Sequence, residues 1–164
     1  MKTIGIFYGS TTGKTQEIVE AISSKLQNCE LIDVSKANKE DLTRFDNLIL
    51  AASTYGDGEL QTDWEDFATK LSEDDFAGKI VAILGLGDQD SYSDTFCDSI
   101  FLLANLAKKA TIIGKTKNEN YNFQSSKGLN GDEFLGLALD EENQSDLTST
   151  RLNNWLDDIK NSFK

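Results

Sequence analysis

A chain of 164 residues with a formal charge of −12 and no histidine is long enough for one domain burying about two thirds of its unfolded surface, and too acidic to attract a nucleic-acid duplex. The missing histidine excludes Ser-His and Cys-His catalysis and the common zinc sites, while two cysteines, Cys29 and Cys97, are too few for a disulfide framework or a metal cluster. No apolar stretch could span a membrane and the first residues read as a strand rather than a signal peptide, so the expectation is a soluble, cytoplasmic monomer, one domain over residues 1–164, without nucleic-acid or membrane partners.

Apolar runs and helical patterns alternate along the chain. Residues 2–8 read as a strand around Ile4, Ile6 and Phe7, and residues 13–27 as a helix with Ile18, Val19, Ile22 and Leu26 at helical spacing. A short strand over 30–34 precedes a polar stretch, 35–43, with room for one helical turn. The third strand, 47–52, closes at Ser53-Thr54. Trp64, Phe67, Ala68 and Leu71 then mark one helix face. Residues 79–86 are apolar throughout, as a central parallel strand is. Phe96, Ile100, Leu103, Ala104 and Ala107 give the fourth helix, and a fifth strand starts over 110–115. A mostly polar excursion, about 117–133, interrupts that strand before an apolar run resumes over 134–139. Its Tyr121 and Phe123 predict a packed insertion rather than a free loop. The last helix is predicted over 149–163, burying Leu152, Trp155, Leu156, Ile159 and Phe163.

Repeated strand–helix units with short links predict a three-layer α/β/α sandwich on a five-stranded parallel sheet. Ligands of such sheets sit beyond the carboxyl ends of the strands, where the winding reverses. The loops after strands one, three and four should converge there. Those three loops have unusual chemistry.

The first is Tyr8-Gly9-Ser10-Thr11-Thr12-Gly13-Lys14-Thr15. A strand that turns through hydroxyls and glycines into a helix presents unpaired amides and the positive end of a helix dipole to an anion. Three readings compete. Ser and Thr could simply cap the helix. The stretch also approaches the Gly-x-x-x-x-Gly-Lys-Thr of a nucleoside-triphosphate loop, but only three residues separate the glycines and Tyr8 stands where the first should be. A flavin-phosphate loop, [Ser/Thr]-x-Thr-Gly-x-Thr, is matched at every fixed position by Ser10, Thr12, Gly13 and Thr15, and this reading leads. The second loop, Ser53-Thr54-Tyr55-Gly56-Asp57-Gly58-Glu59-Leu60, and the third, Gly85-Leu86-Gly87-Asp88-Gln89-Asp90-Ser91-Tyr92, each offer glycines, an acid and one tyrosine. A planar ring held between two aromatic faces needs that arrangement.

With these loops in hand the chain resembles the flavodoxins along essentially its whole length, and its insertion resembles the long-chain branch. Gly-Glu-Leu-Gln-Thr-Asp-Trp after the second loop, Leu-Gly-Asp-Gln in the third and Gly-Leu-Ala-Leu-Asp-Glu-Glu-Asn-Gln at 136–144 carry the resemblance. It implies non-covalent FMN, an electron-carrier role and the strand order 2-1-3-4-5 with an insertion in strand five. It further implies that Ser10, Thr11, Thr12, Gly13, Lys14 and Thr15 hold the phosphate. Ser53, Thr54, Tyr55, Gly56, Asp57 and Gly58 would edge one ring face, and Leu86, Gly87, Asp88 and Tyr92 would cover the other. Long-chain members often carry Trp, a larger stacking face, where Tyr55 stands.

In the family, the peptide after the position of Gly56 swings to stabilise the neutral semiquinone. Asp57, Glu59, Asp63, Asp88, Asp90 and Asp94 crowd the ring loops, with Lys14 the only obvious cation among them. A carboxylate ~10 Å from a new negative charge opposes it by ~1.7 kcal/mol at an effective dielectric of ~20, before screening. The expectation is a low-potential shuttle between semiquinone and hydroquinone. Asp140, Glu141 and Glu142 would add to a negative rim for a reductase or oxidoreductase with a basic docking face. An alternative of related fold, a flavin-dependent quinone reductase, would need a substrate pocket and a group suited to hydride acceptance, and no such residue group is visible. A signalling receiver would need a phosphoacceptor Asp where Ser53-Thr54 stands.

Overall fold

The computed structural model describes residues 1–164. β1 (Ile4–Tyr8) leads through α1 (Lys14–Lys25), β2 (Cys29–Asp33) and α2 (Lys39–Thr43) to β3 (Asn47–Tyr55). The two-residue β4 (Glu59–Leu60) turns back on β3 before α3 (Thr62–Ala68), a 3-10 turn (Glu73–Phe76), β5 (Ile80–Leu86) and α4 (Ser99–Leu106). The last third holds β6 (Thr111–Ile113), β7 (Thr116–Lys117), β8 (Leu129–Asn130), β9 (Glu133–Phe134), β10 (Leu137–Leu139) and α5 (Ser145–Ile159).

The main sheet is parallel in the order β2-β1-β3-β5, with a fifth strand on the far side of β5. That fifth strand comes in two pieces placed end to end. β6 pairs with residues 80–82 of β5 and β10 with residues 84–86. The expected order 2-1-3-4-5 with an interrupted edge strand is what the pairing shows. The interruption itself folds: β7, β9 and β8 form a small antiparallel sheet, and Phe96, Tyr121, Phe123 and Phe134 pack into one aromatic cluster. The Tyr121 hydroxyl donates to Ala138 O (2.7 Å), the Thr116 hydroxyl to Gly136 O (2.6 Å) and the Trp155 indole to Gly114 O (2.8 Å). Burial pushes the Tyr121 hydroxyl up to about 12, so it keeps its proton for that bond.

Each strand feeds two layers because successive side chains point to opposite faces. Ile4, Ile6, Ile49, Ala51 and Leu84 meet Ile18, Val19 and Ile22 of α1 and Leu152, Trp155 and Ile159 of α5. On the other face Phe7, Leu48, Leu50, Val81 and Ile83 meet Trp64 and Phe67 of α3 and Ile100 and Leu103 of α4. Sequence-based boundaries shift at several ends. The polar stretch after β2 becomes α2, closed by a reciprocal capping box between Asn38 and Asp41. Phe96 lies before α4 rather than in it, and α5 begins at Ser145, four residues ahead of the expected start. No helix is long and apolar enough to cross a membrane.

Candidate functional site

Between β1 and α1 the chain curls around one side chain. The Ser10 hydroxyl oxygen accepts the N–H of Gly13 at 3.1 Å and of Gln16 at 3.4 Å, which leaves its own O–H free to donate outward. Gly13, the N-cap of α1, has φ +91°, a left-handed conformation that a Cβ would strain. The first-turn amides have no helical acceptor, and the dipole adds a partial positive charge at this end.

The hydroxyls of the loop are not equivalent. Thr15 is buried, its hydroxyl 2.7 Å from that of Ser53, so it ties the loop to β3. Thr11 Oγ1 accepts from Gln61 Nε2 at 3.1 Å. Gln61, buried at the N-cap of α3, also accepts the Trp64 amide at 3.2 Å. A Cβ on Gly9 would stand 2.1 Å from Gln61 Oε1, so glycine there makes room for this staple between the first loop and α3. The Lys14 ammonium is engaged by Glu142, and that hydrogen bond raises the lysine above its ordinary value. The one cation at the loop already has a counter-charge, which leaves an anion there to be met mainly by neutral donors.

Ser53, Thr54 and Tyr55 turn out to be strand residues, since β3 runs to Tyr55 and pairs antiparallel with β4. Gly56, Asp57 and Gly58 form the hairpin tip, with φ +52° at Gly56 and +86° at Gly58. The Thr54 hydroxyl donates to Ser99 Oγ (2.9 Å) and accepts the Ser99 amide (3.1 Å), fixing this strand end to α4. In the third loop the Asp88 carboxylate accepts the amides of Asp90 (3.1 Å) and Ser91 (2.9 Å) and the side chain of Asn143 (2.9 Å). Burial works to raise this carboxyl, but those donors outweigh it and hold Asp88 below its ordinary value. Below Gly87, burial pushes the Cys97 thiol well up, so the thiol stays protonated and unreactive.

The three loops converge at the carboxyl ends of the strands. Thr12, Lys14, Ser53, Thr54, Tyr55, Leu86, Gly87, Asp88 and Tyr92 line one open cleft of about 180 Å3, joined by Glu141 and Glu142. Tyr55 is half-buried and Tyr92 is 48% exposed. Ser10, Thr11, Gly13 and Thr15 shape the first loop without lining the cleft, and residues 56–58 do not line it either. One expectation needs correction: Asp140 is not a rim charge. It is fully buried, its carboxylate accepting N–H groups of Gln89, Glu142 and Asn143. Gln61, Gln89 and Asn143 were missed by sequence reasoning, and only the motif matches around them hinted at a role. A roomier cavity of about 540 Å3 lies between the insertion and α5. Lys115, Lys117 and Arg151 there are balanced by Glu119, Glu133 and Asp158, so it favours neither sign of ligand.

Fold and cleft together define a doubly wound α/β protein with an anion-accepting helix start beside a pair of tyrosines. The family model described as flavodoxin matches residues 6–155. The chain is 46% identical to the flavodoxin of Helicobacter pylori, with 99% of each chain covered, and 42% identical to that of a Nostoc species, with 99% of this chain and 98% of the other covered. The crystal structure of Fusobacterium nucleatum flavodoxin bound to flavin mononucleotide superposes with a TM-score of 0.94 at 38% identity, each chain fully covered. The chain belongs to the flavodoxin family, whose members are electron-transfer flavoproteins rather than enzymes.

Proposed function

We propose that this chain, as one binding unit over residues 1–164, carries single electrons on non-covalently bound FMN. The observation that carries the reading is the cleft itself, whose lining brings Tyr55, Leu86, Gly87 and Tyr92 together beside the neutral-donor loop at the start of α1. The donor set suits a phosphate monoester: a free Ser10 hydroxyl, Thr12, and first-turn amides. The tyrosines suit a flat aromatic head.

When bound, FMN supplies the one-electron chemistry, and the chain sets the potential at which it occurs. Ser10 to Thr15 would hold the phosphate, residues 53–58 would border one side of the ring, and Leu86, Gly87, Asp88 and Tyr92 would border the other. Gly56, already at positive φ on a hairpin tip, lets its peptide turn without a Cβ penalty, so its carbonyl would be free to accept a hydrogen bond from a protonated ring nitrogen of the cofactor. Glu141 on the cleft wall, with exposed Asp57 and Asp90 nearby, would oppose the negative charge added by the second electron. Lys14, bound to Glu142, does little to relieve that opposition. The working couple is therefore the low-potential one, between the neutral half-reduced and the fully reduced cofactor.

The same acids suit brief docking with redox proteins that present basic faces. Two free thiols, Cys29 and Cys97, suit a reducing compartment, and we place the carrier in the cytoplasm as a monomer. The decisive experiment is a spectrum of the purified protein followed by stepwise anaerobic reduction. The expected sample is yellow, or becomes so on adding FMN, and passes through a blue form. A colourless protein that ignores added FMN refutes the reading.

A further inference from the structure

The third loop hangs from a buried, cation-free carboxylate. Asp140 follows β10, whose Leu139 pairs with Leu86 of β5, so the sheet itself sets Asp140 level with the start of that loop. The side chain is fully buried, and an isolated buried carboxylate is costly unless donors surround it. Here they do. Oδ2 accepts the Gln89 amide at 3.0 Å, the Gln89 side chain at 2.8 Å and Asn143 Nδ2 at 3.0 Å, while Oδ1 accepts the amides of Glu142 at 3.1 Å and Asn143 at 3.0 Å. Gln89, itself 4% exposed, offers its remaining oxygen to the amide of Asn122 at 2.5 Å. One glutamine thus joins three segments distant in sequence: the third loop, the end of β10 and the insertion.

The consequence reaches Tyr92, which has little packing of its own. The Tyr92 amide donates to Asp88 O at 3.0 Å, and the Asp88 turn is held in part by Asn143, the residue that also bridges to Asp140. A side chain that stacks on a ligand binds well only if its position is fixed beforehand. We propose that the Gln89–Asp140 clasp is the positioning element that holds Tyr92 over the cleft, and that through Asn122 it makes the insertion part of the same support. This rests on the reading of the cleft as a flavin site. Neither Gln89 nor Asp140 lines the cleft, so both act through the loop.

The test is a double-mutant cycle joined to a measurement on the apoprotein. FMN affinity is measured by fluorescence titration for the natural chain, Gln89→Leu, Tyr92→Ala and the pair. The clasp requires Gln89→Leu to weaken binding at least about tenfold alone and less than about twofold when Tyr92 is already alanine. Equal losses in both backgrounds, or none in either, overturn it. In the apoprotein, Gln89→Leu should speed hydrogen exchange at the Ser91 and Tyr92 amides by at least about tenfold, and unchanged exchange overturns the clasp whatever FMN does. Exchange that responds in a protein taking up no FMN rejects the flavin reading instead, and with it the role toward Tyr92. Asn143→Ala, at an exposed position, should move both readouts the same way by about threefold or more, and serves if Gln89→Leu does not fold.

Discussion

Gln61→Ala should separate two duties of one buried side chain. Gln61 is 1% exposed, caps α3 through the Trp64 amide and reaches Thr11 and Asp63 through its amide nitrogen. Loss of the cap costs about 0.5–2 kcal/mol. The lost amide contacts and the space left behind bring the total to about 2–4 kcal/mol. At this chain length that lowers Tm by about 5–15 °C, measurable by thermal unfolding of the apoprotein. Because Thr11 is released, FMN affinity should fall about 2- to 10-fold, one hydrogen bond's worth of preorganisation. Gln61→Glu keeps the acceptor for Trp64 but loses the donor to Thr11. Because it also sets a second carboxylate against Asp63 in a buried site, it should melt no higher than the alanine variant at pH 7, regain stability as pH falls, and bind FMN no better. A Gln61→Ala protein that melts and binds like the natural chain refutes the reasoning. So does a glutamate variant that binds normally.

Two further outcomes follow from the hairpin tip and the residue beneath it. Gly56→Ala meets no clash, its Cβ lying 3.5 Å from Glu59, but φ is +52°. The strain of about 1–3 kcal/mol on the hairpin tip should lower Tm by about 2–12 °C, and an unchanged melting point counts against it. Asp98, buried below Gly58, has its carboxyl pushed up by burial, against the pull of the Lys127 amide. A raised folded value gives stability that is complete below the ordinary 3.8 and lost as pH rises through the folded value. Asp98→Asn, which keeps an oxygen for Lys127, should therefore be more stable than the natural chain at neutral pH, with the gap closing in acid. Urea midpoints across pH 4–8 check this, and a less stable variant at pH 7 contradicts it.

The sheet was readable because strands buried on both faces have to be apolar throughout, and 48–52 and 80–86 are. The first loop was readable because a helix start that receives an anion needs its hydroxyls and glycine close together in sequence. Residues that act across long sequence separations left no such trace. Asp140 sits in an acidic run that reads as surface, and it is buried only because the register of β10 on β5 carries it to Gln89, 51 positions away. Gln61 is an unusual capping residue, so nothing local marked it as one. The start of α5 was missed because Ser145, Asp146 and Thr148 add little apolar period. The two-residue strands of the insertion are too short to show alternation at all.

The split fifth strand has a bearing on how copies of this molecule meet each other. The outermost strand of any open sheet is a template onto which a neighbour can add its own backbone. Here that border is broken midway, and the acceptors of Gly114, Gly136 and Ala138 along it are taken by an indole and two hydroxyls. A foreign strand arriving there finds its hydrogen-bonding positions occupied and bulky groups in its path. The excursion thus works as a selvage along this border of the sheet, closing it to strand addition while leaving the cleft at the carboxyl ends of the strands clear.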